Sequence, residues 1–462
     1  MAFDCDIVII GAGPGGYVAA IRAVQLGLKP ILIERSRVGG VCLNIGCIPS
    51  KSLVHQAEIY SSSKALADMG VSIDNSAFDY SRVQKKSRLS ADKLSKGVEY
   101  LLKKNKIELI KAEATIDSQN SVLLSNGNKI TGKNILIATG SRPRALPGLS
   151  FDEKRIISST GALMLKKLPK RMLILGSGAV GIEFGHIFSS FNVEIHLVEM
   201  LSRILPIEDK EISSILHKSF SKRGINIYTS TVAKSFETVS KGLVAHLKPT
   251  AGKPIQIEVD QILVAIGRTP NTENLGIENL GITLEKGFIP VNSCYQTKVP
   301  GIYAIGDVIN SPQLAHVASK EAEISIEHMA GLKPKDLLNI DLIPSVVYCE
   351  PQIGSFGLSE DRANERGIAF EKASFPFRGA GKSVTIEQPD GIVKVLYSPG
   401  TKEILGAHII GAESTELIHE ILLAKKSELL PEDIGNMIHA HPTLSEAVME
   451  AMRAVDKRAI HM

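Results

Sequence analysis

Two cysteines spaced five residues apart are the side chains of this sequence that most directly indicate chemistry. Cys42 and Cys47 lie in the stretch GGVCLNIGCIPSKS, and the whole chain of 462 residues has 5 cysteines. Pro49 and the apolar run after it predict that a helix begins near Cys47. A helix N-terminus lowers the pKa of a thiol and favours the thiolate. The spacing and the predicted helix therefore favour a redox-active disulfide.

Two other roles for the pair stay open on the residues alone. A structural zinc ion takes four ligands, and Cys5, Cys294 and Cys349 lack the spacing of a second ligand pair. His55 could add one ligand, which still leaves the site incomplete, so the sequence predicts no metal centre. A buried and inert cysteine pair is the remaining alternative.

A glycine-rich loop near the start of the chain predicts a phosphate-binding site. The apolar run DIVII predicts a buried parallel strand, and Gly11, Gly13 and Gly16 follow it as G-x-G-x-x-G. These glycines allow a tight turn, close approach of the backbone to a pyrophosphate, and close packing of helix on strand. The next helix directs free N–H groups at the phosphates. Glu34, which ends the second predicted strand, can accept hydrogen bonds from the ribose hydroxyls.

The same arrangement occurs a second time. The segment RMLILGSGAVGIEFGHIFSSFNVEIHLVE contains Gly176, Gly178 and Gly181, and its second strand ends at Glu199. The last glycine and the acid are 18 residues apart in both copies (34 − 16 and 199 − 181). One such loop is a weak signal, but two copies in full strand–helix–strand context predict two dinucleotide sites in two domains.

The residues also indicate which dinucleotides bind. Acids at Glu34 and Glu199 disfavour a 2′-phosphate, and Arg203 is the lone candidate cation after Glu199, so NAD is favoured over NADP. One of the two dinucleotides is predicted to be FAD, because a flavin passes electrons between a nicotinamide and a thiol.

Composition and charge argue against several other classes of protein. Hydrophobic residues make up 44% and charged residues 22% of the chain, as in ordinary globular proteins, and the net charge is +4. The most basic stretch, KSRLSADKLSKGVEYLLKKNK, predicts the solvated face of an amphipathic helix, so nucleic acid is not an expected partner. No apolar run reaches the ~18 residues that cross a membrane. With scattered cysteines and a strand almost at the first residue, we expect a cytoplasmic protein.

Several segments of the sequence together resemble one known family. In chain order, GAGPGG, GGVCLNIGCIPSK, GSGAVGIEFG, YAIGDV and HAHPTLSE resemble class I of the pyridine nucleotide–disulfide oxidoreductases. The resemblance covers essentially the whole chain and is strongest to the members that oxidise dihydrolipoyl groups. It implies an α/β fold with two Rossmann-like nucleotide-binding domains plus a C-terminal α+β dimerisation domain.

Changes in the sequence pattern suggest where these domains begin and end. We expect residues 1–148 to form the first part of the FAD-binding domain and 149–265 the NAD-binding domain. Residues 266–340 are expected to return and complete the FAD and central region. Short strands and then helices in residues 341–462 indicate the interface domain.

The resemblance implies roles for individual residues. Cys47 would contact the flavin and form the charge-transfer thiolate, while Cys42 would exchange with the substrate dithiol. Lys51 would lie beside the flavin and pair with Glu183 of the second nucleotide helix. Asp307 would bind the ribityl or phosphate region of FAD. Residues of further turns are implied as cofactor contacts: Thr139, Gly140, Gly267 and Ala315.

The C-terminal segment HAHPTLSE holds the predicted base. The family pattern places the catalytic imidazole directly before the proline, at His441 rather than His439, with Glu446 on its other ring nitrogen. A dithiol must lose protons near neutral pH, where histidine titrates. Thr443 to Glu446 also fits a capping box, so Glu446 could serve only as a cap. In the family this histidine reaches the cysteines of the partner subunit, which implies a homodimer.

Together these features predict an enzyme that oxidises a protein-bound dihydrolipoyl group through the Cys42–Cys47 disulfide and reduces NAD. The implied partner is a lipoyl domain of a 2-oxoacid dehydrogenase or glycine-cleavage complex. One alternative is a glutathione reductase-like enzyme, against which Glu199 argues because such enzymes use NADPH. Another is a mainly structural subunit of a multienzyme complex, which would be expected to lose the cysteines or the His–Glu pair.

Overall fold

The first strand–helix–strand unit begins with the apolar run that ends at Ile10. The computed structural model describes residues 3–240, 242–334 and 337–462, and in it this run is a strand buried on both faces. The elements of the N-terminal part are β1 (Cys5–Ile10), α1 (Pro14–Gln25), β2 (Pro30–Glu34), α2 (Gly40–Ile45), α3 (Cys47–Asp68), α4 (Tyr80–Lys104), β3 (Glu108–Lys111), β4 (Ala114–Ser118), β5 (Ser121–Leu124), β6 (Lys129–Ile137) and β7 (Ser141–Pro143).

These strands build a sheet that is parallel where the glycine loop leaves it. The parallel order is β3-β2-β1-β6, with Ile9 of β1 paired to Leu32 and Leu136. The first part of β6 instead pairs antiparallel with β5, which pairs with β4. Because the carboxyl ends of parallel strands share one edge, the turns after β1, β2 and β6 lie together.

The second glycine loop belongs to a parallel sheet of its own. The order is β11-β10-β9-β15-β8, and the antiparallel sheet β12-β13-β14 packs on it through a shared apolar core. The elements are β8 (Ile156–Ile157), α5 (Ser159–Met164), β9 (Arg171–Leu175), α6 (Ala179–Ser190), β10 (Glu194–Val198), α7 (Lys210–Lys222), β11 (Asn226–Tyr228), β12 (Thr231–Val239), β13 (Gly242–Pro249), β14 (Ile255–Val259), β15 (Gln261–Val264) and β16 (Arg268–Pro270).

After the second unit the chain returns to the first sheet. Strand β16 pairs antiparallel with β7, with Thr269 opposite Arg142. Strand β17 (Ile302–Ala304) then joins the first sheet beside β6, with Tyr303 opposite Leu136. Helix α8 (Ala315–Met329) packs against α1. The first nucleotide loop is therefore supported by residues from both sides of the second unit in the sequence.

The C-terminal part is an antiparallel sheet in the order β18-β19-β22-β21-β20, covered by helices α11 and α13. Its elements are β18 (Ser345–Val347), β19 (Gln352–Gly357), α9 (Glu360–Glu365), β20 (Glu371–Pro376), α10 (Gly381–Thr385), β21 (Ile392–Tyr397), β22 (Ile404–Gly411), α11 (Ser414–Lys426), α12 (Pro431–Asn436) and α13 (Ser445–Ala454). Within the described residues, no helix combines the length and apolar content needed to cross a bilayer.

A buried ion cluster fastens this sheet to the second nucleotide unit. The Lys394 amine on β21 lies 2.8 Å from Asp209 and 3.2 Å from Glu211 at the start of α7, and Glu360 also contacts it. Burial favours the neutral amine, but the carboxylates outweigh it and raise the pKa of Lys394. The three carboxylates therefore converge on a lysine, which fills the place a metal ion would need.

Candidate active site

The two cysteines that the sequence predicts to be redox-active, Cys42 and Cys47, are joined in a disulfide. Cys42 lies inside α2, Cys47 is the first residue of α3, and their Cα atoms are 4.6 Å apart. Both side chains are half-buried. The Ser50 hydroxyl donates to the Gly46 carbonyl over 2.6 Å and closes the first turn of α3. On reduction of the disulfide, the Cys47 sulfur would sit at a helix N-terminus, which favours its thiolate.

Two glycines bring the disulfide segment onto the first nucleotide loop. Gly39 and Gly40 have φ of +92° and +56°, and the Gly39 N–H donates to the Ala12 carbonyl over 2.8 Å. A Cβ on Gly40 would lie 2.7 Å from the Gly13 Cα, so no larger residue fits there without a shift of backbone. The pair Gly39–Gly40 thus explains how α2 can lie directly against the loop.

The first loop has the shape of a phosphate cradle. Gly11 has φ of +103°, and a Cβ there would lie 2.4 Å from the Ala138 carbonyl oxygen. A Cβ on Gly16 would lie 1.8 Å from the Gly11 carbonyl oxygen. Helix α1 begins directly after Gly13, so its free N–H groups face the loop. A cleft beside the loop is lined by Gly11, Glu34 and Thr139, which fits the adenosine half of a dinucleotide.

The acid that ends β2 is fixed by backbone donors. Glu34 accepts hydrogen bonds from the Ala12 N–H and the Ser36 N–H, each over 2.8 Å. Its half-buried carboxylate is therefore held at the rim of the cleft, where ribose hydroxyls can reach it.

The second loop repeats this geometry. Gly176 has φ of +95°, and a Cβ there would lie 2.5 Å from the Ala265 carbonyl oxygen; one on Gly181 would lie 1.9 Å from the Gly176 carbonyl oxygen. Helix α6 begins directly after Gly178.

Glu199 is held more tightly than Glu34. Its carboxylate accepts from both the N–H and the hydroxyl of Ser177, over 2.9 and 2.8 Å, and from the Leu201 N–H over 2.9 Å. Arg203, the nearby cation, donates to Asp361 over 2.6 Å and to the Pro206 carbonyl over 3.1 Å. Its guanidinium is thus bound to Asp361 of α9 and is not free to bind a 2′-phosphate. The buried Glu199 carboxylate lies where the ribose is expected, which suits NAD rather than NADP.

The turn that contains Asp307 is held by residues that the sequence alone did not reveal. Asp307 accepts a short hydrogen bond from the Ser141 hydroxyl and lies 3.6 Å from the Arg268 guanidinium. The Gly306 N–H donates over 2.6 Å to Glu321, which is fully buried on α8. Burial raises the pKa of Glu321 to about 7, and the charge of Asp307 adds to this effect.

The remaining residues that were predicted to contact a cofactor lie in turns near this one. Thr139 donates its hydroxyl to the Asn271 carbonyl over 2.7 Å, and the Asn271 N–H donates to the Gly140 carbonyl over 2.9 Å. Gly267, with φ of +114°, lies just before β16, and Ala315 is the first residue of α8. None of the bonds that hold this region, such as those of Asn271, Ser141 and Glu321, follows from local spacing, because the partners are far apart in the chain.

An ion pair joins the helix after the disulfide to the second nucleotide helix. The Lys51 amine lies 2.9 Å from both carboxylate oxygens of Glu183, whose side chain is 9% exposed. Glu183 also accepts from the Tyr348 N–H over 3.2 Å, and Lys51 lies 4.5 Å from the centre of the Tyr348 ring. Tyr348, which sequence reasoning missed, thus fixes both partners of the pair.

His441 and Glu446 form a second pair of contacting side chains at the far end of the chain. The His441 Nδ1 lies 2.9 Å from Glu446, whose other oxygen accepts the Thr443 N–H over 2.8 Å. Glu446 therefore contacts the imidazole and caps the chain entering α13 at the same time. Burial opposes ionisation of Glu446, but the Thr443 N–H and the His441 ring outweigh it and lower its pKa.

Over the part of one chain that the structure describes, no hydrogen bond or ion pair joins His441 to the cysteines. Among the described residues its hydrogen bond goes to Glu446, and its side chain is 76% exposed. Large apolar side chains near it in the sequence and on α11 are also exposed: Leu423, Met437 and Ile438. Exposed apolar groups of this kind mark an interaction surface.

Comparison with protein-family models decides the family. The model described as pyridine nucleotide-disulphide oxidoreductase matches residues 5–322, and that of its dimerisation domain matches residues 343–452. The chain belongs to the pyridine nucleotide–disulphide oxidoreductase family. The predicted family and mixed α/β fold class are confirmed, and so are the predictions of an oxidoreductase and of FAD and NAD as its cofactors.

Individual relatives agree over the full length. The chain is 41% identical to dihydrolipoyl dehydrogenase of Bacillus subtilis, with 100% of both chains covered. It is 39% identical to mitochondrial dihydrolipoyl dehydrogenase of Pisum sativum, covering 99% of this chain and 92% of the relative. Among solved structures, LpdA of Mycobacterium tuberculosis matches with a TM-score of 0.89 at 25% identity, covering 98% and 99% of the two chains. The matched dimerisation domain supports a homodimer.

Proposed function

We propose that this protein is a dihydrolipoyl dehydrogenase that oxidises a protein-bound dihydrolipoyl group and reduces NAD. The observation that carries the proposal is the Cys42–Cys47 disulfide, which Gly40 packs against the first phosphate cradle at Gly13. A dithiol–disulfide exchange centre beside a dinucleotide loop is the arrangement this reaction needs. The dihydrolipoyl dehydrogenases among the relatives support the substrate.

The parts of the chain have separate tasks in this proposal. Residues 1–148 and 266–340 bind FAD, residues 149–265 bind NAD, and residues 341–462 form the subunit interface. The cradle around Gly11 and Glu34 holds FAD, with Lys51, Thr139, Gly140, Asp307 and Ala315 as further contacts. The cradle around Gly176 and Glu199 holds NAD, with Glu183 and Gly267 nearby.

The cysteines exchange their disulfide with the substrate in two steps. One substrate thiol gives its proton to an imidazole, attacks the Cys42 sulfur, and releases Cys47 as a thiolate. The second substrate thiol then attacks the mixed disulfide, closes the lipoyl ring, and frees Cys42. The helix N-terminus at Cys47 stabilises the negative charge of the leaving thiolate. When bound, FAD carries the electron pair from the reduced cysteines to NAD.

His441 of the partner subunit supplies the imidazole. Because Glu446 occupies Nδ1 within the same chain, Nε2 is the nitrogen left to accept the substrate proton. The lowered pKa of Glu446 keeps its carboxylate ionised near neutral pH, which stabilises the imidazolium that forms.

The proposed partner is a lipoyl domain of a 2-oxoacid dehydrogenase or glycine-cleavage complex, and the proposed location is the cytoplasm. A glutathione reductase-like activity is the weaker candidate, because Arg203 is engaged by Asp361 and Glu199 stands at the ribose position. A purely structural role is also weaker, because the disulfide and the His441–Glu446 contact are both intact.

An activity assay of the purified FAD-loaded protein tests this proposal. We expect NADH formation from dihydrolipoamide and NAD to exceed by far the oxidation of NADPH by glutathione disulfide. Cys42→Ser and Cys47→Ser should each abolish the first activity, whereas the matched control Cys294→Ser should retain it, since Cys294 is a free cysteine that takes no part in the disulfide. Dominant activity with glutathione disulfide and NADPH, or full activity of Cys42→Ser, would overturn the proposal.

A further inference from the structure

The outer face of α4 carries a row of cations that the proposed chemistry does not use. Their spacing of three, four and seven residues places them on one side of the helix, over about 33 Å at 1.5 Å per residue. All are exposed, and they are Arg82, Lys85, Lys86, Lys93, Lys96, Lys103 and Lys104. We call these residues the α4 row.

Acidic groups do not neutralise the α4 row. The acids of α4 are Asp92 and Glu99, and Asp92 already accepts a hydrogen bond from Arg37 over 2.7 Å. Among the described ion pairs, none engages six of the seven cations, namely Lys85, Lys86, Lys93, Lys96, Lys103 and Lys104. In a chain whose net charge is only +4, this is a concentrated positive surface.

Two large apolar side chains lie within the same row. Leu89 is 58% and Tyr100 is 64% exposed, and their separation of eleven residues, about three helical turns, sets them on one line. Exposed apolar groups surrounded by polar ones, with Tyr among them, are typical of surfaces that bind other proteins.

The opposite face of α4 packs against the segment that carries the cysteines. The Ser87 hydroxyl donates to the Pro49 carbonyl over 2.8 Å, and Pro49 is two residues after Cys47. The Ser95 hydroxyl donates to the Val38 carbonyl over 2.8 Å, four residues before Cys42. A protein bound along the α4 row is therefore held about one helix diameter, ~10 Å, from the redox segment.

We propose that the α4 row is a docking surface for an acidic protein domain that carries the dihydrolipoyl group. The inference rests on the proposed function and names the charge of its protein substrate. Attraction between the cationic row and an acidic domain raises the rate of encounter beside the disulfide, and Leu89 and Tyr100 supply apolar contact. The row lies outside residues 343–452, which match the dimerisation domain.

Charge reversal in the holoenzyme tests the docking surface. Lys85→Glu combined with Lys93→Glu is compared with Lys248→Glu combined with Lys253→Glu, an equal change in charge at exposed sites of the β13–β14 hairpin. For an acidic dihydrolipoyl domain, we expect kcat/KM of the first variant to fall roughly tenfold at low salt and recover near 0.5 M salt. For uncharged free dihydrolipoamide, both variants should match the parent protein, with unchanged FAD content and melting temperature.

Three results would count against the docking surface. Equal kcat/KM of the two variants toward the acidic domain would overturn it while leaving the proposed function intact. The parent protein is also tested for salt-sensitive binding to vesicles of anionic phospholipid. If the first variant loses that binding while its kcat/KM toward the acidic domain stays unchanged, the row would be assigned to a membrane. Absence of activity of the parent protein on free dihydrolipoamide would overturn the proposed function and the docking surface together.

Discussion

The two nucleotide loops have the same backbone and different surroundings. Gly11 and Gly176 both have a positive φ. A Cβ on either would lie only 2.4 or 2.5 Å from the carbonyl oxygen of the residue that follows the neighbouring strand of its sheet. Above the first loop, Gly13 lies against Gly40 of the disulfide segment. Above the second, a Cβ on Gly178 would meet no atom within 4 Å. One sequence pattern therefore builds a covered cradle and an open one.

This difference matches two modes of binding. A cradle that is covered by α2 suits a dinucleotide that stays bound beside the disulfide, as FAD must to receive its electrons. An open cradle suits a dinucleotide that enters and leaves in each turnover, as NAD must. The glycine pattern predicts phosphate binding at both loops, and we propose that the segment next to each loop decides how long its dinucleotide stays bound.

Adding one methyl group to the cover of the first loop and one to the second loop should give the largest contrast. Gly40→Ala forces a Cβ to 2.7 Å from Gly13 at a positive φ, so we expect loss of bound FAD and at least a hundredfold loss of activity. Gly178→Ala meets open space, so FAD should remain and the KM for NAD should rise about tenfold. Flavin absorbance after gel filtration and NAD saturation curves check both. Retention of FAD by Gly40→Ala would contradict the idea that the close packing of Gly40 on Gly13 is needed to hold FAD.

Loss of the ion pair between Lys51 and Glu183 should give the second-largest effect. Glu183→Gln keeps an acceptor for the Tyr348 N–H but removes the charge that holds Lys51. Loss of one charge-assisted contact, about 1.5 kcal/mol, predicts a roughly tenfold lower kcat for NADH formation at unchanged FAD content. The exposed acid Glu278 offers a control as Glu278→Gln. An unchanged kcat in Glu183→Gln would mean that the pair only packs the two units together.

The buried acid beside the covered cradle should make stability depend on pH. The folded-state pKa of Glu321 is about 7 and its unfolded value is 4.5, so the folded protein holds an extra proton between these pH values. The free energy of unfolding should therefore fall by about 3 kcal/mol as pH rises through this window. Glu321→Gln, which keeps an acceptor for Gly306, should remove this fall. Glu323→Gln on the same helix is the matched control, and denaturant unfolding at several pH values measures the slope.

The smallest expected effect comes from the one side-chain donor that Glu199 has and Glu34 lacks. Ser177 donates its hydroxyl to Glu199, whereas the equivalent position in the first loop is Ala12, which has no hydroxyl. Ser177→Ala leaves the backbone donors of Ser177 and Leu201 in place, so the KM for NAD should rise only about threefold, near 0.7 kcal/mol. A rise above about thirtyfold would show that the hydroxyl, and not the backbone, positions Glu199.

Local sequence patterns predicted the elements that build the site better than the contacts between them. Gly11 and Gly176 predict their loops, because only glycine suits the tight turn and the close approach of the backbone to its neighbours. The hydrogen bond from Gly306 to Glu321 and the contact of Tyr348 with Glu183 join residues from distant elements, so no spacing reveals them. His441 illustrates the same limit, because no hydrogen bond or ion pair among the described residues joins it to the cysteines.

The cover over the first cradle could be anticipated only in part. Gly39 and Gly40 stand beside Cys42 in the sequence, and a glycine pair indicates a close backbone approach, but not to which segment. Similarly, the basic stretch in α4 was predicted as a helix face, while the bonds that tie its inner side to Pro49 and Val38 required the fold.

The most direct test of the central claim is an anaerobic titration of the holoenzyme with dihydrolipoamide, followed by visible absorbance. We predict that one equivalent of substrate produces a long-wavelength band, from the Cys47 thiolate next to oxidised flavin, and that Cys47→Ser lacks this band. Bleaching of the flavin without such a band in the parent protein would contradict the account.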